Sequence, residues 1–257
     1  MDYQLHHRVI TWIEQAAEKL RHSLQEDRVV EEKASRRDVV TDMDKGIEAF
    51  LVERIQAHYP DHFILAEEGT GHSIDDLKGY VWIIDPIDGT MNYVQQKNNF
   101  GTMMALFKDG EPLAGYIYDI MNHDFFYGIV GDGVYRNHQP WNVPAITGLS
   151  DCLILGNVFM FIHNKFNEQG ALEQSLGVRN YGSAAISTLS VLKGEAGAYL
   201  CSRLSPWDFA AGWAIFEAAG LRYSRLNGEP LNLLEKSTAL LAHPQVYNDL
   251  MNTLKTD

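Results

Sequence analysis

The chain has 257 residues, 46% of them hydrophobic and 21% charged, with a formal net charge of −13; this excludes a disordered tail, a collagen and a disulfide scaffold, and allows a sizeable core without cross-links. The acidic balance argues against nonspecific binding to nucleic acid or to anionic membranes, which need a basic footprint. It leaves a phosphorylated small molecule open as a substrate, because a bound cation reverses the local sign of an acidic site.

Residues Met1 to His7 lack the basic region and apolar core of a secretory signal. Val9, Ile13, Ala16, Ala17, Leu20 and Leu24 recur at steps of three and four, one face of an amphipathic helix, with Glu14, Glu18, Lys19 and Arg21 on the other. Asp27 to Arg37 is dense in charge and reads as a solvated loop or mobile hairpin. A second helix is expected from near Asp44 through Ile47, Phe50, Leu51 and Ile55, ended by Tyr59-Pro60-Asp61. His62 to Ala66 and Tyr80 to Ile84 are short apolar runs, each followed by carboxylates, and read as buried strands. Strand-like runs fill Gly101 to Arg136, with hairpin turns at Lys108-Asp109-Gly110-Glu111 and Gly131-Asp132-Gly133. Tyr116, Tyr118, Phe125, Phe126 and Tyr127 fit sheet packing or a subunit contact. Leu153 to Phe161 is a further apolar run. Extended to Ile162, it is interrupted by Gly156 and Asn157 and falls short of the roughly 18 apolar residues of a membrane span. Helical spacing returns over Ser183–Lys193 through Ile186, Leu189 and Leu192, and Trp207–Ala219 is a second candidate helix, stopped by Gly220.

Helices and strands interleave, so the class is mixed α/β (α+β). The best internal seam is Asn137 to Ser150, where Pro140, Pro144 and Gly148 cluster. It divides lobes of about 1–140 and 141–257, treated as one catalytic unit over 1–257. Cys152 and Cys201 form no C-x-x-C pair, so no zinc knuckle or thioredoxin-type motif is supported, and a reducing compartment is the simpler reading. The ten histidines show no metal-binding spacing and read as surface or core residues. A soluble, cytoplasmic protein is expected, with no nucleic acid and no membrane as partner.

The most informative segment is Trp82-Ile83-Ile84-Asp85-Pro86-Ile87-Asp88-Gly89-Thr90. A hydrophobic strand delivers Asp85, Pro86 holds its backbone extended, and a turn brings Asp88 close. Gly89 permits a tight bend, and Thr90 can cap the helix that follows. Two carboxylates beside a helix start suit a magnesium–phosphate site, although Asp, Pro and Gly are also common turn formers. Glu67-Glu68, Thr41-Asp42-Met43-Asp44 and Ser205-Pro206-Trp207-Asp208 place further acids at the ends of elements, where they can converge.

Together these segments resemble the inositol monophosphatase family of magnesium-dependent, lithium-sensitive phosphatases. Four motifs carry the resemblance in family order: Asp38 to Asp44, Leu65 to Glu68, Trp82 to Thr90 with Asn92-Tyr93, and Pro206 to Gly212 running on into Glu217 to Gly220. The resemblance implies a layered α-β-α-β-α sandwich, a homodimer and two to three Mg2+ per site. It implies that Glu67, Asp85 and the Ile87 carbonyl hold one Mg2+, and that Asp85, Asp88 and Asp208 hold a second, with a third near Glu67. Two metals about 3.5–4 Å apart stabilise both the entering and the leaving oxygen of an in-line displacement. Asp88, Gly89 and Thr90 would meet the phosphate; Asp44 and Thr90 would orient and deprotonate the attacking water, the Thr90 hydroxyl relaying a proton to the Asp44 carboxylate. The ligand set holds no Cys or His, which disfavours zinc. Lys33 corresponds to a mobile-loop lysine near the metals; an ordinary solvated lysine is the alternative.

The resemblance also puts substrate contacts at Gly182-Ser183-Ala184 and seven residues before Asp208. Inositol-selective members carry a glutamate at the latter place, and here it is Cys201, a poor hydrogen-bond acceptor. Arg203 could reach a second phosphate or a sugar hydroxyl, or be a surface arginine. The expected activity is hydrolysis of a small phosphomonoester, inositol 1-phosphate or a similar polyol phosphate. The alternatives are NADP or fructose 1,6-bisphosphate on the same site, and a dimeric regulatory protein that has lost catalysis.

Overall fold

The structure, a computed structural model, describes residues 3–25, 29–35, 38–72 and 74–254, with side chains throughout except at 32–38. Helix α1 (Tyr3–Ser23) buries the predicted stripe of Val9, Ile13, Ala16, Ala17 and Leu20. Strand β1 (Val30–Ser35), within the charged segment, pairs antiparallel with β2 (Asp38–Thr41) just after it. Helix α2 (Asp42–His58) starts two residues earlier than expected. The reason is local: Thr41 is its N-cap and Asp44, at N3, completes a capping box.

A seven-stranded sheet follows. It contains β3 (Phe63–Ala66), β4 (Tyr80–Asp88), then after α3 (Thr90–Gln95) β5 (Gly101–Lys108), β6 (Glu111–Asp119), β7 (Asp124–Ile129), β8 (Gly133–Arg136) and β9 (Gln139–Pro140), in that spatial order. β3 and β4 are parallel and the remaining neighbours antiparallel. The second sheet begins with β10 (Ile154–Gly156). The expected single run to Phe161 breaks there, because Asn157 caps helix α4 (Val158–His163) by accepting the Phe159 amide. After α5 (Glu168–Gln174), β11 (Val178–Arg179) and α6 (Ala184–Leu192) come β12 (Ala198–Leu204), α7 (Pro206–Ala219), β13 (Arg222–Ser224), β14 (Ser237–Ala242) and α8 (Pro244–Thr253). The order in this five-stranded sheet is β11-β10-β12-β14-β13.

The alternation of strand residues builds the layers. Trp82 and Ile84 of β4 face a core shared with α1 and α2. Val81 and Ile83 face the opposite core, shared with α6, α7 and the Tyr199, Ala239 and Leu241 side of the second sheet. Ala198, Leu200, Leu240 and Ala242 turn to a third core with α4, α5 and α8. The result is the α-β-α-β-α sandwich. Helix α7 lies in the middle layer and touches both sheets. It comes so close to β6 that a Cβ on Gly115 would sit 2.2 Å from the Ala211 carbonyl oxygen, a space only glycine leaves open. Tyr116, Tyr118, Phe125, Phe126 and Tyr127 are all buried in these cores, so they are sheet packing. Cys152 and Cys201 are free thiols. Among the described residues no helix is long and apolar enough to cross a membrane.

Candidate metal centre

Asp85 and Asp88 are three residues apart, so a regular strand would send them to opposite faces. In β4 they do not diverge. Asp85 pairs with Met103 and Asp88 with Gly101, three steps on one strand against two on its neighbour. That bulge at Pro86–Ile87 restores both carboxylates to one side. The Pro86 carbonyl accepts the Thr102 hydroxyl at 2.8 Å, which pins the bulge. The strand therefore continues through Asp88, and the turn expected after Asp85 comes at Gly89 instead. Gly89 has φ 88° and ψ 41° and caps α3 without a side chain. A Cβ there would meet Ser183 at 3.1 Å and the Asn99 carbonyl at 3.2 Å. Thr90, expected to cap that helix, is its first residue, and its hydroxyl is used elsewhere.

Glu67 follows β3, whose Ala66 lies opposite Ile84. Its amide donates to the Ile84 carbonyl at 3.3 Å, which sets Glu67 at the same sheet edge as Asp85. Asp208 enters from the first turn of α7, where its Oδ2 accepts the Ser205 amide at 2.7 Å. Carboxylate oxygens of Asp85, Asp88 and Asp208 all lie within 4.8 Å of one another. Asp85 and Asp88 are buried and Asp208 partly so. Asp85 Oδ1 is buried with no hydrogen-bond partner. An orphaned carboxylate oxygen costs free energy unless a cation or donor meets it, and an all-oxygen set fits a hard cation such as Mg2+.

The electrostatics agree. Burial, reinforced by Glu67, Asp88, Asp208 and Asp44, pushes the Asp85 carboxyl well above its ordinary range. Burial and then the Asp88 charge push Asp208 up to about 8. Asp88 is pushed to about 6 by burial, against the opposing pull of the Ser183 hydroxyl and the Ala185 and Ala184 amides. In the absence of a cation these groups resist being ionised together.

Asp44 is buried beside this cluster. Its Oδ2 accepts the Thr41 amide at 2.7 Å and the Thr41 hydroxyl. Its Oδ1 accepts the Thr90 hydroxyl at 2.9 Å, so the two residues expected to activate water are hydrogen-bonded to each other. The Thr90 Oγ1 is also 3.1 Å from the Ile87 carbonyl oxygen. Burial raises the Asp44 carboxyl, and the hydrogen bonds from Thr41 and Thr90 work against that rise.

A cavity of about 250 Å³ opens beside the acids, walled by Asp88, Gly182, Ser183, Ala184, Cys201, Arg203 and Asp208. Its wall is also tied to the acids. The Ser183 hydroxyl, the Ala184 amide (3.1 Å) and the Ala185 amide (2.8 Å) all donate to Asp88. A carboxylate at the start of α6 satisfies amides that would otherwise be orphaned. The Cys201 thiol donates to the Arg203 carbonyl at 3.5 Å and is raised by burial. Arg203 is exposed at the rim. The side chain of Lys33 lies outside the described residues.

Several polar residues take parts here that the sequence did not assign to them. Asn157 and Asn180 line the same cavity. The Asn92 side-chain amide donates to the Tyr181 carbonyl at 2.7 Å and the Asn99 carbonyl at 2.8 Å, tying α3 to the chain before Ser183. Glu48, fully buried on α2, accepts the Glu68 amide at 2.6 Å and the Thr70 amide at 2.9 Å. Glu48 left a readable trace: it is an acid inside the apolar stripe of Ile47, Leu51 and Ile55.

Comparison with known proteins bears on the family and the fold. The model of the inositol monophosphatase family matches residues 4–256. An inositol-1-monophosphatase of Bacillus subtilis (strain 168) is 36% identical over 243 residues, 93% of this chain and 92% of the relative. The crystal structure of inositol monophosphatase-II from Staphylococcus aureus MSSA476 superposes with a TM-score of 0.87 at 34% identity, covering 97% of this chain and 92% of the other. An IMPase/NADP phosphatase complexed with Mg2+ and phosphate superposes with a TM-score of 0.88 at 26% identity, covering 99% and 96%. On the match along its length, and on the fold that carries it, this chain belongs to the inositol monophosphatase family.

Proposed function

We propose that this phosphomonoesterase uses Mg2+ to hydrolyse inositol 1-phosphate or a similar polyol phosphate. The observation that carries the reading is the approach of Asp85, Asp88 and Asp208 within 4.8 Å, with one Asp85 oxygen buried and unsatisfied. Glu67, Asp85, the Ile87 carbonyl, Asp88 and Asp208 are the groups that would hold the ions. When bound, Mg2+ supplies Lewis-acid polarisation of the phosphoryl group and a lowered pKa for water. The chain itself supplies a proton route. A water seated against Thr90 gives its proton to the threonine hydroxyl as that hydroxyl gives its own to Asp44 Oδ1, 2.9 Å away. In the metal-free protein burial raises the Asp44 carboxyl, and a raised carboxyl is the better proton acceptor. Gly89 and Thr90 would orient the phosphate, and the cavity by Ser183, Cys201 and Arg203 would take the alcohol. Its size suits a small polyol. We further expect a homodimer in the cytoplasm, with 1–257 acting as one catalytic unit.

A second reading keeps the chemistry and changes the leaving group. Cys201 stands where a ring-binding glutamate would be, and a structural relative is an IMPase/NADP phosphatase; both favour NADP. Phosphate release from inositol 1-phosphate, fructose 1,6-bisphosphate and NADP, with Mg2+ and with EDTA, separates the two. We expect kcat/KM for inositol 1-phosphate to exceed that for NADP at least ~10-fold, about 1.4 kcal/mol of transition-state discrimination, and EDTA to abolish release. The reverse order would move the assignment to NADP, and metal-independent release would contradict both readings.

Thr90→Ala tests the proton route. It should lower kcat by about 10²-fold or more while KM changes little; a change confined to KM would remove Thr90 from water activation. The shifted carboxyls generate a pH prediction. A carboxyl whose folded-state pKa is raised favours folding while protonated and opposes it once ionised. For Asp88 and Asp208 that support is lost as pH rises through about 6 and about 8. The metal-free protein should therefore lose Tm between about pH 5 and about pH 9, and Mg2+ should raise Tm more at the higher pH. Equal Mg2+ increments at both ends would show that these acids do not hold the ion.

A further inference from the structure

The turn that carries Glu67 is held at both ends and in the middle. At one end the Glu67 amide meets the Ile84 carbonyl, and at the other the His72 amide meets the Ile64 carbonyl at 2.6 Å, while His72 Nδ1 accepts the Ile64 amide at 3.0 Å. Between these anchors the turn is tied to the side chain of Glu48 on α2. Glu48 Oε2 accepts the Glu68 amide at 2.6 Å, and Oε1 accepts both the Thr70 amide at 2.9 Å and the Thr70 hydroxyl at 2.8 Å. Glu48 is fully buried. A carboxylate is costly in such a place unless donors surround it, and among the described residues its three donors all come from this one turn.

The position of Glu48 on α2 adds a second constraint. It stands one helical turn after Asp44, on the same face. Asp44 reaches the Thr90 hydroxyl and Glu48 reaches the turn beside Glu67. One helix therefore braces two parts of the centre that come from different strands. Hydrogen bonds behind a metal-holding carboxylate fix where its oxygens point.

We propose that Glu48 is a positioning residue for the metal centre: it locks the 68–70 turn so that Glu67 presents its carboxylate beside Asp85, and thereby sets the affinity for Mg2+. The proposal rests on the reading of Glu67 as a metal-holding group. Glutamine at this position keeps the shape but not the acceptors. Whichever way its amide faces, an NH2 meets the Glu68 or the Thr70 N–H, and the turn is pushed away.

The test compares the full-length wild type, Glu48→Gln and Thr70→Val. Mg2+ affinity is measured calorimetrically, Tm on metal-free protein, and kcat as a function of Mg2+ concentration. Glu48→Gln should weaken Mg2+ binding by about 10-fold or more, and Thr70→Val, which removes only the hydroxyl contact, by about 3-fold, in line with losses at groups behind metal ligands. In both, excess Mg2+ should restore kcat to within about 3-fold of wild type, because the reacting groups are untouched. A lowered Tm with unchanged Mg2+ affinity would overturn the proposal and leave Glu48 a purely structural acid. Should Glu48→Gln fail to fold, unchanged affinity in Thr70→Val would overturn it alone. A wild type that binds no Mg2+ would overturn the metal reading together with this one, whereas normal binding in all three proteins would sink the Glu48 role only.

Discussion

Mutual repulsion among buried carboxylates is the constraint on which the rest of this structure turns. Asp85, Asp88 and Asp208 face one another within 4.8 Å, and burial denies them the water that would screen their charges. A fold does not assemble such a cluster for stability, since hydrophobic residues of similar volume would serve better. A bound divalent cation turns the same arrangement from repulsive to attractive. The raised carboxyls of Asp85 and Asp208, and the unsatisfied Asp85 oxygen, are what the site looks like from the protein's side alone.

The layers exist to hold those acids still. β4 is buried on both faces, by the α1–α2 layer on one side and the α6–α7 layer on the other, so its end is fixed in space. Parallel pairing with β3 puts Glu67 at that end, and α7, wedged against β6, brings in Asp208 from far along the chain. α2 contributes Asp44 from the outer layer, and the start of α6 is tied to Asp88. Each acid thus stands at the end of an element whose body is packed in a core, and a site built on rigid elements keeps its geometry.

Much of this was legible in the sequence. The apolar stripe of α1 gave its buried face, and Trp82-Ile83-Ile84 announced a buried strand. The acids of the centre could be picked out because each sits where a strand or helix begins or ends. What escaped depended on contacts distant in sequence or on sub-residue geometry. A bulge at Pro86–Ile87 has the same letters as a turn, and only the pairing of Asp85 with Met103 and Asp88 with Gly101 tells them apart. The capture of the Ser183 hydroxyl and the Ala184 amide by Asp88 joins positions far apart in the chain. Glu48 showed as an acid in an apolar stripe, but its partners at 68–70 lie beyond any local pattern. The break between β10 and α4 followed from Asn157, whose side chain accepts the Phe159 amide and starts a helix inside an apolar run.

The central claim is that these acids share divalent ions. An anomalous-diffraction experiment on crystals soaked in Mn2+, which takes Mg2+ sites and scatters anomalously, tests it most directly. The account predicts at least one strong peak at oxygen-coordination distance, about 2.0–2.3 Å, from carboxylate oxygens of Asp85, Asp88 and Asp208. Saturating Mn2+ with no peak among those three side chains would contradict it.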